Sequence, residues 1–255
     1  TAGNVKESAD GGGKYLKTEA EVLKLVPEVA FVPTDGLRYK DNRHMHWKGG
    51  IETLADRIAA CALARGWIPG IAADTGQVLW ETTQWKMTTN VPTPIPIGED
   101  RIFLSAGYGA GSAMLRLEEA GGKIEPKFLY RLKADVCGAE QHTPVYYKGR
   151  IYAVVPGGQL ICLDPDTGQR IWASGGRNRF GLGPYMVADG MLILVNDSGV
   201  LTLAEATDTG YKPIAQTEIW DEAQETWGPL ALVDGRLFVR DMTRMVCLDL
   251  RKEPN

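Results

Sequence analysis

The chain has 255 residues, 44% hydrophobic and 24% charged, with 28 basic against 32 acidic side chains and a formal net charge of −4. This is the balance of an ordinary globular protein with enough chain for a large core, and it excludes non-specific nucleic-acid binding, which needs basic surface. No apolar run reaches the roughly 20 residues that cross a bilayer as a helix.

The chain opens Thr1-Ala2-Gly3-Asn4, with neither an initiating Met nor the basic and apolar regions of a signal peptide, so it reads as a processed or truncated start that does not report its compartment. Residues 1–50 stand apart from the rest. Gly11-Gly12-Gly13 reads as a flexible tail. Thr18-x-x-Glu21, followed by Val22, Leu23, Leu25 and Val26 and stopped by Pro27, predicts a short capped helix. Glu28 to Val32 predicts a strand. His44-Met45-His46 places two imidazoles on one side of an extended chain, where both could reach one metal. Arg43 beside them opposes a cation and no third ligand is present, so no metal site is assigned to His44 and His46.

From residue 51 to 255 one pattern recurs. Its first part is an extended run opened by Thr-Pro or Gly-Pro: Thr93-Pro94, Thr143-Pro144, Gly183-Pro184 and Gly228-Pro229, every 40 to 50 residues. Each run meets a tight turn at Gly98-Glu99-Asp100, Lys148-Gly149, Asp189-Gly190 or Asp234-Gly235, residues that tolerate the backbone of short hairpins. A second apolar run follows at Arg101–Leu104, Arg150–Val155, Met191–Val195 and Arg236–Val239. A third follows at Ala113–Leu117, Gln159–Asp164, Val200–Leu203 and Met245–Asp249. Two units close on a full motif, Asp74-Thr75-Gly76-Gln77-Val78-Leu79-Trp80 and Asp166-Thr167-Gly168-Gln169-Arg170-Ile171-Trp172. Aligning the two tryptophans adds an earlier unit, Ile51 to Trp80, with Arg57–Cys61 as its second strand. That makes five units.

Four short strands per unit of about 40 to 50 residues match the blade of a β-propeller. A β-sandwich has no need of a strand-quartet repeat. The expected fold class is therefore all-β, built of four-stranded antiparallel blades. The last unit stops after its third strand, and Val29-Ala30-Phe31-Val32 is the expected donor of its fourth, which would remove an exposed edge. The four cysteines, Cys61, Cys137, Cys162 and Cys247, form no Cys-x-x-Cys pair, so a structural zinc site is not expected. Cys61, Cys162 and Cys247 lie in apolar strand-like runs, where a thiol packs as a small buried hydrophobe.

The units Gly158–Trp172 and Gly70–Trp80 resemble pyrroloquinoline-quinone (PQQ) type propeller repeats, and the resemblance extends over residues 51 to 251. It points to bacterial PQQ-like repeat proteins, often labelled alcohol-dehydrogenase-like from the repeat alone. Such proteins are periplasmic or otherwise extracytoplasmic, and longer members have seven or eight blades. Five units would therefore be a fragment or an unusually small ring. The resemblance implies that Trp80 and Trp172 wedge between blades. Blades alone do not imply chemistry. Outer-membrane assembly lipoproteins provide a precedent for catalytically silent PQQ-like blades, so a binding scaffold with a protein partner or small ligand, and part of a larger assembly, is the leading expectation. The alternative is a PQQ- and calcium-dependent dehydrogenase acting on an alcohol or sugar. Family enzymes often stack the quinone on a vicinal disulfide, and no two cysteines are adjacent here. Asp135, Glu140 and Asp197 are free carboxylates without calcium-ligand spacing. No nucleophile elbow, P-loop or dinucleotide fingerprint is present, and Gly107–Ser112 reads as a turn between strands.

Propellers bind ligands at loops that lead into their innermost strands. Here those loops carry Asn90, Gln141-His142, Arg179-Phe180 and Thr226-Trp227. His142, Gln141, Asn90, Arg179 and Trp227 are therefore the candidate ligand-binding residues, with His142 expected near Asn90 and Trp227. Their competing role is to satisfy loop backbone groups.

Overall fold

In the computed structural model the described residues are 37–39, 45–47, 68–72, 76–87, 89 and 91–251, the first two stretches as backbone only. The expected helix at 18–26, the strand at 28–32, the Arg57–Cys61 strand, Asn90 and His44 lie outside them. The chain divides into two compact units, Thr1–Ala60 and Cys61–Asn255. The first shows a two-stranded antiparallel pair, β1 (Leu37–Tyr39) and β2 (Met45–Trp47), in which His46 stands opposite Arg38.

In the second unit the described residues form strands and turns only. The sheets follow strict chain order. A pair, β3 (Ile68–Ile71) and β4 (Val78–Thr82), comes first. Three four-stranded antiparallel meanders follow: β5 (Ile95–Ile97) to β8 (Lys123–Leu132), β9 (Val145–Tyr147) to β12 (Arg170–Ala173), and β13 (Tyr185–Ala188) to β16 (Pro213–Glu218). The intervening strands are β6 (Arg101–Ala106), β7 (Gly111–Ala120), β10 (Arg150–Val154), β11 (Leu160–Leu163), β14 (Met191–Val195) and β15 (Val200–Glu205). A three-stranded sheet ends the series, β17 (Ala231–Val233), β18 (Arg236–Arg240) and β19 (Met245–Asp249).

The middle strands of each four-stranded sheet read as continuous apolar runs because both of their faces are buried. In β10, Ile151 and Ala153 turn towards Phe103 and Met114 of the preceding sheet, whereas Tyr152 and Val154 turn towards Leu192 and Leu194 of the next. In β14, Leu192 and Leu194 face back while Ile193 and Val195 face on to Leu237 and Val239. Four apolar layers of this kind join the five sheets in order.

The Asp-x-Gly motif makes the same hairpin twice. Asp164 N–H donates to the Gln169 carbonyl (2.9 Å) and Gly168 N–H to the Asp164 carbonyl (2.8 Å); Ala72, Gln77 and Gly76 repeat these bonds. Gly168 sits at φ +70°, and a Cβ there would lie 2.9 Å from the Tyr130 ring. The tryptophans that end the motif fill successive layers. Trp80 packs with Leu104 and Leu115 between the first two sheets. Trp172 packs between the third and fourth, tilted against Tyr152 and Tyr211, and its indole N–H donates to the Thr207 carbonyl at 2.9 Å.

One expectation fails in this layout. Cys162 is buried but Cys247, at the matching place in β19, is exposed. An apolar strand buries a thiol only where another sheet covers its face, and no sheet follows β17–β19 among the described residues.

Candidate functional site

The loops that lead into the first strand of each sheet are held down by the preceding sheet. Ser112 Oγ donates to the Cys137 carbonyl (2.8 Å), ahead of β9. Phe180 N–H donates to the Gly158 carbonyl (2.6 Å), ahead of β13, and Ile219 N–H to the Gly199 carbonyl (2.9 Å), ahead of β17. These bonds tie each loop to the sheet before it.

His142 is in the first of these segments, directly before Thr143-Pro144. Its ring lies edge-on to Tyr185 at 6.1 Å, and the Tyr185 hydroxyl donates to the His142 carbonyl at 3.4 Å. With Glu140, Gln141, Val154, Leu182 and Tyr185 it lines a small cavity of about 10 Å³, room for about one water molecule. Burial pulls the imidazole below its ordinary pKa, opposed by a hydrogen bond to the Leu182 backbone. The neutral ring that results has its Nε2 buried and without a partner. Burial also pushes the Tyr185 hydroxyl far up, so it stays protonated.

The cavity connects to the next loop through a carboxylate. Asp197 Oδ1 accepts from Leu182 N–H (2.9 Å) and from the Trp227 indole N–H (2.8 Å). Only glycine fits at 181, since a Cβ there would come within 1.7 Å of Asp197 Oδ2, and its φ is +59°. His142, Leu182, Asp197 and Trp227 thus form a contiguous path over the loops ahead of β9, β13 and β17. Of the candidates from sequence, His142 and Gln141 share the cavity, and Trp227 joins it through Asp197 and Leu182. Arg179 does not line it; its guanidinium bonds the Gly176 carbonyl at 3.1 Å within its own loop. Asn90 lies outside the described residues.

Sequence reasoning missed Asp197 as the joint of this path and Tyr185 as the wall of the cavity. A signal for the first existed: an indole N–H near a buried loop requires an acceptor, and Asn196-Asp197-Ser198-Gly199 supplies a carboxylate in a turn. For Tyr185 no such signal existed, because it reads as one more residue of an apolar run.

Chemically, the site offers a neutral imidazole acceptor beside one carboxylate, Glu140, in a small, partly apolar recess. It suits a hydroxyl, an amide N–H or an amine. Among the described residues no three His, Cys, Asp or Glu side chains gather as metal ligands.

The family described as outer membrane protein assembly factor BamB, a PQQ-type repeat family, matches residues 64–212, more than half of the chain. The chain belongs to this PQQ-type repeat family. No curated protein matches. Among solved structures, BamB from Moraxella catarrhalis is similar at 10% identity and a TM-score of 0.41, over 72% of this chain and 66% of that one. The computationally designed Ika4 protein is similar at 10% identity and 0.42, over 61% of this chain and 88% of that one. The designed Ika8 protein is similar at 11% identity and 0.45, over 69% of this chain and 50% of that one.

Proposed function

We propose that this chain is a binding scaffold whose successive sheets are blades of one propeller, and that it engages a polypeptide or small ligand through the loops around His142. The observation that carries this reading is the buried, unpartnered Nε2 of His142, a residue that lines a recess joined to Trp227 through Leu182 and Asp197. A buried acceptor left unpaired costs about 1–3 kcal/mol, so a donor arriving there gains what the free protein forgoes. Family membership supports a scaffold role, and the name of the matching family supports an extracytoplasmic protein within a larger assembly.

A photo-crosslinking side chain placed at Gln141 tests the reading in the producing cells, with Gln216 on the exposed β16 as the control position. Adducts of defined mass from position 141 and none from 216 are the expected result. Equal labelling from both positions would count against the site. The dehydrogenase alternative is checked by titrating PQQ with calcium and reading absorbance. The spectrum should remain that of the free quinone, and a shifted spectrum bleached by alcohol would replace the scaffold reading.

A further inference from the structure

Every sheet from β5 to β16 buries the same set of positions against the sheet that follows. In the second sheet these are Ile95, Ile97, Phe103 and Met114, packed on Ile151, Ile161 and Leu163. In the third they are Val145, Tyr147, Tyr152, Leu160 and Cys162, packed on Leu192 and Leu194. Strand register fixes the equivalents in the last sheet. Tyr152 pairs with Val145 and Cys162, and Phe238 pairs with Ala231 and Cys247. Its onward face is therefore Ala231, Val233, Phe238, Met245 and Cys247. Yet Met245 is 71% exposed and Val233 58%.

A charge marks the same boundary. Arg101 opens β6 and reaches Asp166 of the following sheet at 2.6 Å; Arg150 opens β10 and reaches Asp208 of the following sheet at 2.9 Å. Arg236 opens β18 at the corresponding place. Like Arg150, which has Asp164 within its own sheet at 3.8 Å, it stands across the ladder from an aspartate, Asp249. What it lacks, among the described residues, is the counterpart of Asp166 and Asp208. The last sheet thus carries both the apolar positions and the arginine of a sheet-to-sheet contact, with no second sheet against them among the described residues.

The other end of the series is complementary. Pro69 and Ile71 in β3 stand where Ile161 and Leu163 stand in β11, each counted from the tryptophan partner of the motif: Gly70 pairs with Trp80 and Cys162 with Trp172. Ile161 and Leu163 face the preceding sheet. The β3–β4 pair packs on β8 and touches none of β17–β19, so the chain's own first sheet does not cover its last.

We propose that the onward face of β17–β19 docks on the β3–β4 sheet of a second copy of this chain, head to tail, continuing the layer that joins every other pair of sheets. A head-to-head pairing of two β17–β19 faces would bring Arg236 no counterpart of Asp166 or Asp208, since in the other sheets that aspartate comes from the loop before a fourth strand and this sheet has three described strands. The head-to-tail contact is heterologous, so it closes into a ring or extends. It rests on the reading of the sheets as successive blades and is independent of what the His142 loops bind.

The test is the mass of the full chain by sedimentation equilibrium, with maleimide labelling of Cys247 located by mass spectrometry. The wild type should exceed the monomer mass and protect Cys247. Val233→Lys with Met245→Glu changes two exposed side chains, so the fold measured by circular dichroism should persist while the mass falls to that of the monomer and Cys247 labels at least tenfold faster. Ile71→Lys, on the opposite sheet, should break the assembly in the same way. A monomeric wild type with a freely labelled Cys247 overturns the proposal. A monomer with Cys247 protected overturns it too, since the chain would then cover its own face, as does an oligomer that both variants leave intact.

Discussion

His142 and Asp241 show how single buried polar groups set the response to acid. His142 has its pKa lowered from 6.5 by burial, against an opposing hydrogen bond to Leu182. Below pH 6.5 the unfolded chain therefore takes up a proton that the folded one resists, and stability falls as pH drops through the lowered value. Glu140 shares its cavity and Tyr185 stays protonated. His142→Phe, followed by urea unfolding from pH 8 to pH 5, should flatten that limb of the stability curve. Any donor ligand bound at Nε2 should weaken over the same range, because the protonated ring no longer accepts. Asp241 is a buried carboxyl that responds to acid. Burial pulls it up, but the N–H groups of Thr243 (2.7 Å) and Arg244 (2.6 Å) and the Arg244 guanidinium outweigh that and bring it to about 2. Its contribution is present above the ordinary carboxyl range and lost as pH falls towards 2. Asp241→Ala should cost about 1.5–3 kcal/mol in urea at pH 7, the usual value of hydrogen bonds to a charged group.

At the scale of elements, Trp172 tests how sheets are joined. It touches residues of two sheets and spends its N–H on Thr207, so Trp172→Ala should cost about 3–5 kcal/mol, read as a lower urea midpoint. An unchanged midpoint would show that the layer does not depend on it. The ion pairs beside these layers contribute far less. Arg101–Asp166 is exposed on the aspartate side, and a double-mutant cycle should give under about 1 kcal/mol. The first three strands of each unit from β5 onward were legible in the sequence, from their apolar runs and from the hairpins whose turns require Gly or Asp. The fourth strands β8 and β16 escaped notice for a physical reason. β16 (Pro213–Glu218) is exposed at all six positions and so carries no apolar signal. β8 alternates between exposed and half-buried side chains and contains Pro126. Only fourth strands with the Asp-x-Gly…Trp motif announce themselves. The candidate site was legible to the same extent: His142 was singled out by its place before the first strand of a unit, whereas Asp197 and Tyr185 required the contacts between neighbouring loops.

For the described molecule as a whole, each sheet contacts only its neighbours in chain order, and stability is then approximately a sum of sheet and interface terms. Hydrogen exchange should grade accordingly. Amides of β10, β11 and β14, with apolar layers on both sides, should be protected most. Those of β18 and β19 should exchange earlier, since among the described residues only one face of their sheet is packed. Uniform protection across all sheets would mean that a single global opening governs exchange. If copies associate through β17–β19, protection there should rise with protein concentration while β10 remains unchanged.

The Arg–Asp contacts between consecutive sheets also bear on how new members of such a series arise. A duplicated unit brings its own arginine for the sheet after it and its own aspartate for the sheet before it, as β9–β12 does with Arg150 and Asp166. Its apolar faces come with it, one for each neighbour. Loss of that unit would therefore set Arg101 of the sheet before it against Asp208 of the sheet after it, the same pairing of charges, whereas a break inside the unit strands half a junction on each side. At these two junctions the length of the series can change by one sheet without redesign of the ion pair.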